Sequence, residues 1–177
     1  MNNKIVVIYK SKYGSSKKYA QWIAEEVKGD LFDASEIKVE MLKEYDTIVY
    51  GGGLYASGIS GISLITKNFD IIKYKKIIVY TVGLASTDKK EVFAPIIEKN
   101  FPKEIIDNIK FFHFRGGIDY KKLSLVHKAM MAMLKKVVSK KPEDKLTDDD
   151  KELLATYGDK VDFTDRSAIV TLVNYIL

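Results

Sequence analysis

Three short stretches of this chain hold residue types suited to a phosphate and a flat ring. The first is Ser11-Lys12-Tyr13-Gly14-Ser15-Ser16, which follows the β-branched run Ile5-Val6-Val7-Ile8 and precedes a helical pattern. Hydroxyls and backbone N–H groups at a helix N-terminus attract a phosphate, because the unsatisfied donors and the helix dipole both favour negative charge. Gly14 lets the backbone approach such a ligand closely. Without a ligand, the same residues make an ordinary strand-to-helix turn with Ser16 as N-cap. The second stretch is Gly51 to Gly58, with Gly52, Gly53, Leu54 and Tyr55 as candidate contacts; the third is Val82 to Asp88, with Val82, Gly83, Leu84 and Ala85. Both are glycine-rich and lightly charged, and with Tyr55 they suit gripping a ring by stacking and backbone hydrogen bonds.

The elements that must position these stretches alternate along the chain. Apolar strands are expected at Ile5–Ile8, Asp30–Ala34, Thr47–Gly51, Lys76–Thr81 and Ile109–Arg115. Between them, Tyr19, Ala20, Ile23, Ala24 and Val27 mark an amphipathic helix ending near Gly29, and further helices are expected over Ile62–Phe69 and Lys89–Asn100. Residues 37–44 read as a weakly periodic connector. Buried strands separated by helices specify a parallel sheet covered on both faces, so the fold class is doubly wound α/β. In such sheets ligands bind beyond the carboxyl ends of the strands, where strand order reverses, and the three stretches meet there.

A phosphate site beside two ring-gripping loops points to flavin mononucleotide (FMN). Gly51-Gly52-Gly53-Leu54-Tyr55-Ala56 also fits a dinucleotide pattern, yet it follows the third strand rather than the first, and no acidic residue ends the next strand to hold a ribose. A phosphoacceptor receiver domain fails because Lys10-Ser11 and Gly51-Gly52 stand where it needs acids, and no Walker loop occurs. With no cysteine, thiolate chemistry and Cys-ligated metals are excluded, so redox chemistry must come from a borrowed cofactor. His113 falls within a strand and His127 on a lysine-rich helix; neither has a second ligand at metal spacing, and either is free to titrate near neutrality. Trp22 and most of the tyrosines and phenylalanines read as packing residues. No side chain is singled out as catalytic.

At 177 residues and 46% hydrophobic, the chain suits a single domain with a substantial core. The polar start and the first strand of five or six residues are too short for a signal-peptide core or a spanning helix there, so a cytoplasmic location is expected. Tyr120 to Lys141 contains seven lysines and no acid; without them a net charge of +5 becomes −2. Basicity so localised is not a nucleic-acid footprint. Within the segment, Leu123, Val126, Met130, Met133, Leu134 and Val137 line one side of a helix, with Lys128, Lys135 and Lys136 opposite. It reads either as a lid packed on the domain or as a helix lying on anionic lipid, with Lys121–Lys141 as the contact and a peripheral place at the inner membrane face. Pro142 closes it, Thr147 caps a short helix ending at Gly158, and Thr164 is expected to cap a last helix through Leu177.

The run Ser11-Lys12-Tyr13-Gly14-Ser15-Ser16 resembles the FMN phosphate signature of flavodoxins, with Tyr13 departing at the third position. Gly116-Gly117-Ile118-Asp119-Tyr120, the Met- and Lys-rich helix after it, and Val161-Asp162-Phe163-Thr164-Asp165 are similar to flavodoxin-type, menaquinone-dependent protoporphyrinogen IX dehydrogenases. The resemblance implies a flavodoxin-like five-stranded sheet in the order 2-1-3-4-5, bound FMN, and a basic helical insertion over residues 119–160. By position, Ser11, Lys12, Tyr13, Gly14, Ser15 and Ser16 would hold the phosphate. Gly52 to Tyr55 would flank one side of the ring and Val82 to Ala85 the other. The insertion carries Lys where those dehydrogenases are rich in Arg and aromatics. Expected functions are a quinone-linked dehydrogenase or, as an alternative, an electron carrier that meets redox partner proteins transiently; a flavin-free interaction module is the third.

Overall fold

Runs of β-branched residues bury both faces of each central strand. In the computed structural model, which describes residues 3–88 and 90–177, five parallel strands lie side by side. They are β1 (Ile5–Lys10), β2 (Asp30–Asp33), β3 (Thr47–Tyr55), β4 (Lys76–Gly83) and β5 (Ile109–Arg115), in the order β2-β1-β3-β4-β5. This is the doubly wound, flavodoxin-like α/β arrangement. Its order reverses between β1 and β3.

Alternate residues serve opposite faces, as the pleat requires. Ile5 and Val7 of β1, with Val49, Ile78, Tyr80 and Phe114, pack against α1 (Ser15–Val27) and the C-terminal helix Val170–Ile176. Val6 and Ile8, with Ile48, Tyr50, Ile77, Val79 and Ile109, pack against Leu42, Ile65, Ile72, Phe101 and Ile105 on short helical turns.

Two of the expected loops are strand. β3 runs through the glycine triplet to Tyr55, then turns at Ala56 and Ser57 to pair antiparallel with Gly58–Ile59. The glycines are there for packing: a Cβ on Gly51 would fall inside the Tyr80 ring, and one on Gly52 would lie 2.7 Å from the Ser60 carbonyl. β4 likewise continues through Val82 and Gly83, paired with β5 as far as Arg115.

Helix boundaries differ for identifiable reasons. Residues 62–69 form no continuous helix but single turns at Ser63–Thr66 and Phe69–Ile72, because Asn68 bonds its side-chain amide to the Leu64 carbonyl (2.9 Å) and leaves helical geometry. The helix expected from Lys89 begins at a residue outside those described; a 3-10 turn at Lys90–Phe93 leads into α2 (Ala94–Asn100). Residues 37–44 hold a single turn, Val39–Leu42. Lys28, not Gly29, takes the left-handed position after α1.

Beyond β5 lie α3 (Leu125–Val138) and α4 (Asp148–Thr156), bracketed by an antiparallel ribbon of β6 (Gly117–Asp119) and β7 (Lys160–Asp162). Thr147 and Asp150 form a reciprocal capping box at α4, and Gly158 follows with a positive φ. Thr164 does not cap the last helical segment. Its hydroxyl is held by Asp162 (2.7 Å) and Lys18 (2.6 Å), and Asp165 accepts the Ser167 N–H instead, opening a 3-10 turn before α5 (Val170–Ile176).

Neither histidine keeps an ordinary imidazole. His127 is lowered by burial and by the nearby Lys12 charge. His113 stacks on Phe93 at 3.7 Å, bonds Thr81 Oγ1 through Nδ1 (2.7 Å), and is lowered by burial to about 4. A depressed imidazole favours the neutral ring in the folded chain, so the unfolded chain binds the extra proton and stability falls as pH drops from about 6.5 through about 4. Denaturant titrations at stepped pH should show His113→Asn with a shallower loss across that window than the parent; an unchanged slope would assign the acid sensitivity elsewhere.

Candidate functional site

The carboxyl ends of β1, β3, β4 and β5 open on one compartment. It is lined by Ser11, Tyr13, Ser15, Ser16, Gly53, Leu54, Tyr55, Val82, Gly83 and Leu84, with Gly116 to Ile118 behind and Leu123, His127, Met130 and Met131 above. Of the expected contacts, these sequence-predicted residues do converge. Four do not line it. Lys12 and Gly14 line a neighbouring cleft, Gly52 is enclosed in the sheet under Ser60, and Ala85 is exposed past the rim.

The loop between β1 and α1 is held without a side-chain cap on the helix. Gly14 takes the N-cap position at φ +101°, where a side chain would be strained, and donates its N–H to Ser11 Oγ at 3.1 Å. Ser16 is therefore not the N-cap; it is buried in the first turn of α1. The helix's first backbone bond runs from Lys18 N–H to the Gly14 carbonyl. The N–H groups of Ser15, Ser16 and Lys17 have no protein acceptor among the described residues, so a positive helix end with unpaired donors lies where Ser15 and Ser16 line the compartment. Ser15 Oγ accepts the Gly117 N–H at 3.0 Å, joining the loop to β6, as Ser11 Oγ accepts from Gly14; both hydroxyls keep a proton to donate.

A ring of aromatic groups closes the far side. Tyr55, at the end of β3, stacks on His127 of α3 with centroids 4.7 Å apart and planes 16° from parallel. Tyr13 meets both edge-on, its Oη 2.7 Å from His127 Nδ1, and accepts the Ser124 N–H at 3.3 Å. Burial raises the Tyr13 phenol, but the Ser124 hydrogen bonds and the Lys12 charge outweigh it and leave the group below its ordinary value. Burial and the neighbouring Tyr13 push Tyr55 up to about 12. With His127, Met130 and Met131 in this position, the compartment holds about 140 Å³. That is below the roughly 300–1,000 Å³ typical of small-molecule sites.

On the other side of the loop, a more open cleft of about 660 Å³ lies between Lys12, Lys18, Lys122 and Lys160 and the ribbon. Lys18 is paired with Asp162 at 3.2 Å. The two spaces share Tyr13, Ser15, Gly117 and Ile118, so the loop from Lys12 to Ser15 forms the wall between them.

A model of the flavodoxin domain matches residues 6–145, more than half of the chain. The chain belongs to the flavodoxin-domain family. A protein of Methanocaldococcus jannaschii whose own role is uncharacterised is 25% identical over 113 residues, which is 60% of this chain and 66% of that one. Solved structures similar to this flavodoxin-domain protein include an archaeal flavodoxin (13% identity, 64% of this chain and 85% of that one, TM-score 0.42). Others are oxidised flavodoxin 2 of Bacillus cereus (16%, 63% and 84%, 0.45) and two-electron reduced flavodoxin of Megasphaera elsdenii (16%, 62% and 82%, 0.45).

Several site residues of this flavodoxin-domain protein escaped the sequence reading. Arg115, at the end of β5, donates to the Leu84 carbonyl from Nε (3.1 Å) and Nη2 (2.9 Å) and pairs with Glu152 of α4. Ser86 N–H is accepted by Asp149 of α4 at 3.0 Å, so the segment after β4 is held from behind by the insertion. Arg115 was findable as the charged end of a fourth converging strand. His127, Met130 and Met131 were not, because only the path of the insertion brings them over the site. Among the described residues no cluster of three potential metal ligands occurs.

The two adjacent serines should separate in a stability measurement. Ser15→Ala leaves the Gly117 N–H without its acceptor and should cost about 1–3 kcal/mol, whereas Ser16→Ala removes no side-chain hydrogen bond found among the described residues and should cost clearly less. Urea midpoints for the two variants check this, and a larger loss for Ser16→Ala would contradict the assigned geometry.

Proposed function

We propose that this protein binds FMN at the carboxyl edge of its sheet and works as an electron-transfer flavoprotein. The observation that carries the reading is the pairing, in one compartment, of free N–H donors at the start of α1 with Tyr55 and the β4 exit. The residues fit the group. The N–H groups of Ser15 and Ser16, with the hydroxyls of Ser11 and Ser16, would take the phosphate; Tyr55 and Leu54 would flank the ring on one side and Val82 to Leu84 on the other. Bound FMN supplies one- and two-electron chemistry that no side chain here offers. The protein's share is to hold, orient and shield it: Arg115 fixes the Leu84 carbonyl, and Leu123, Met130 and Met131 exclude water.

The expected outcome of titration is one FMN per chain with quenched flavin fluorescence, and much weaker binding of riboflavin. A phosphate dianion gains charge-assisted hydrogen bonds of about 1.5–3 kcal/mol each, which riboflavin lacks. Equal affinity for the two would overturn the phosphate assignment.

A second reading, a quinone-linked dehydrogenase similar to the protoporphyrinogen IX enzymes, is favoured by the insertion: α3 roofs the compartment, as a small carrier does not require. Anaerobic assays of the FMN-loaded protein with protoporphyrinogen IX and a menaquinone analogue test it. Turnover dependent on both would support the dehydrogenase; reduction and reoxidation only by protein redox partners would leave the carrier.

A further inference from the structure

We propose that α3 docks this protein on an anionic lipid surface, through the face of the helix turned away from the compartment. This does not rest on the FMN reading.

α3 is a two-sided helix. His127, Met130 and Met131 point into the compartment and Val138 is buried. The stripe read from the sequence is real as a stripe, but most of it faces water: Val126 is 68% exposed, Met133 69%, Val137 56% and Leu134 45%, while Leu123 is buried. At 3.6 residues per turn, Val126, Met133 and Val137 share one flank of the outer face and Lys128 and Lys135 the other, with Lys136 between them. Lys141 is paired with Asp150 and Lys135 lies over the Tyr157 ring at 4.2 Å. Lys128, Lys136 and Lys140 have no carboxylate partner among the described residues.

Chemistry chooses between the surfaces that could cover this face. The cores of protein interfaces are depleted in lysine, and this face mixes lysine with its apolar residues. A second copy would set like charges against each other, since the segment from 120 to 141 has no acid. Anionic lipid meets both halves at once: apolar side chains enter the acyl boundary while lysines reach the headgroups. No helix among the described residues is long and apolar enough to cross a membrane, so the contact is peripheral. Compartment and docking face lie on opposite sides of one helix, about 10 Å apart.

The test is co-sedimentation of the full chain with vesicles of equal parts phosphatidylcholine and phosphatidylglycerol, against pure phosphatidylcholine, with flavin content and circular dichroism recorded in the same samples. Binding should require the anionic lipid and weaken with salt. Lys128→Glu, Lys136→Glu and Lys140→Glu together should reduce it at least about a hundredfold. Val126→Ser, Met133→Ser and Val137→Ser together should also reduce it, with fold and flavin content unchanged. Failure of the parent to bind anionic vesicles, equal binding to neutral ones, or a serine variant that binds like the parent would overturn the proposal. A parent dimer dispersed by the serine variant would assign the face to a second copy instead.

Discussion

The ring of Tyr80 crosses over Gly51 to reach the first turn of α1, and the site depends on that crossing. β4 and β3 are neighbours with Tyr80 opposite Gly51, and only a residue without a side chain leaves room for the ring to lie across β3. Its hydroxyl then donates to the Ser16 carbonyl at 2.9 Å, in the fully buried core. Burial drives that phenol well above its ordinary value, so it stays a donor. A buried carbonyl so engaged fixes where α1 begins, and hence where its unpaired N–H groups point.

The same device recurs with two other buried phenols. Tyr50 donates to the Ser60 carbonyl at 2.7 Å, just past the turn that follows Tyr55. Tyr19 donates to the Arg115 carbonyl at 2.8 Å and accepts the Asp165 N–H at 3.1 Å. Each ring fills the core with its apolar body and uses its polar tip to hold a segment at the sheet's carboxyl edge. Packing and site geometry are thus one set of contacts here.

This explains what could be read from the sequence. Strand runs such as Ile5–Ile8 and Ile77–Val79 are visible because burial on both faces demands uninterrupted apolar residues, and Thr147 announces α4 through local capping alone. Gly51-Gly52-Gly53 reads as a loop because local propensity knows nothing of Tyr80, nearly thirty residues away, or of the Ser60 carbonyl; the tertiary neighbours override it. The turn from β1 into α1 was legible as a spacing of Ser and Gly, but Ser15's bond to Gly117 and Gly14's role as N-cap are long-range or conformational facts. The stripe on α3 was legible by period, while its exposure was not, since periodicity reports sidedness and not what covers the side.

The β6–β7 ribbon has a further consequence, for how this architecture can diverge. Its antiparallel pairing sets Asp119 opposite Lys160, so the chain leaves the sheet edge and returns to it at one place whatever it does between. The excursion from 120 to 159 is then a cassette closed at its base. Doubling the length of such a closed segment costs only about 0.6 kcal/mol in loop entropy, and the parallel sheet is not disturbed by it. Roof and charge can be exchanged there as a unit so long as the new segment keeps partners for Tyr13, which bonds Ser124 and His127 within it.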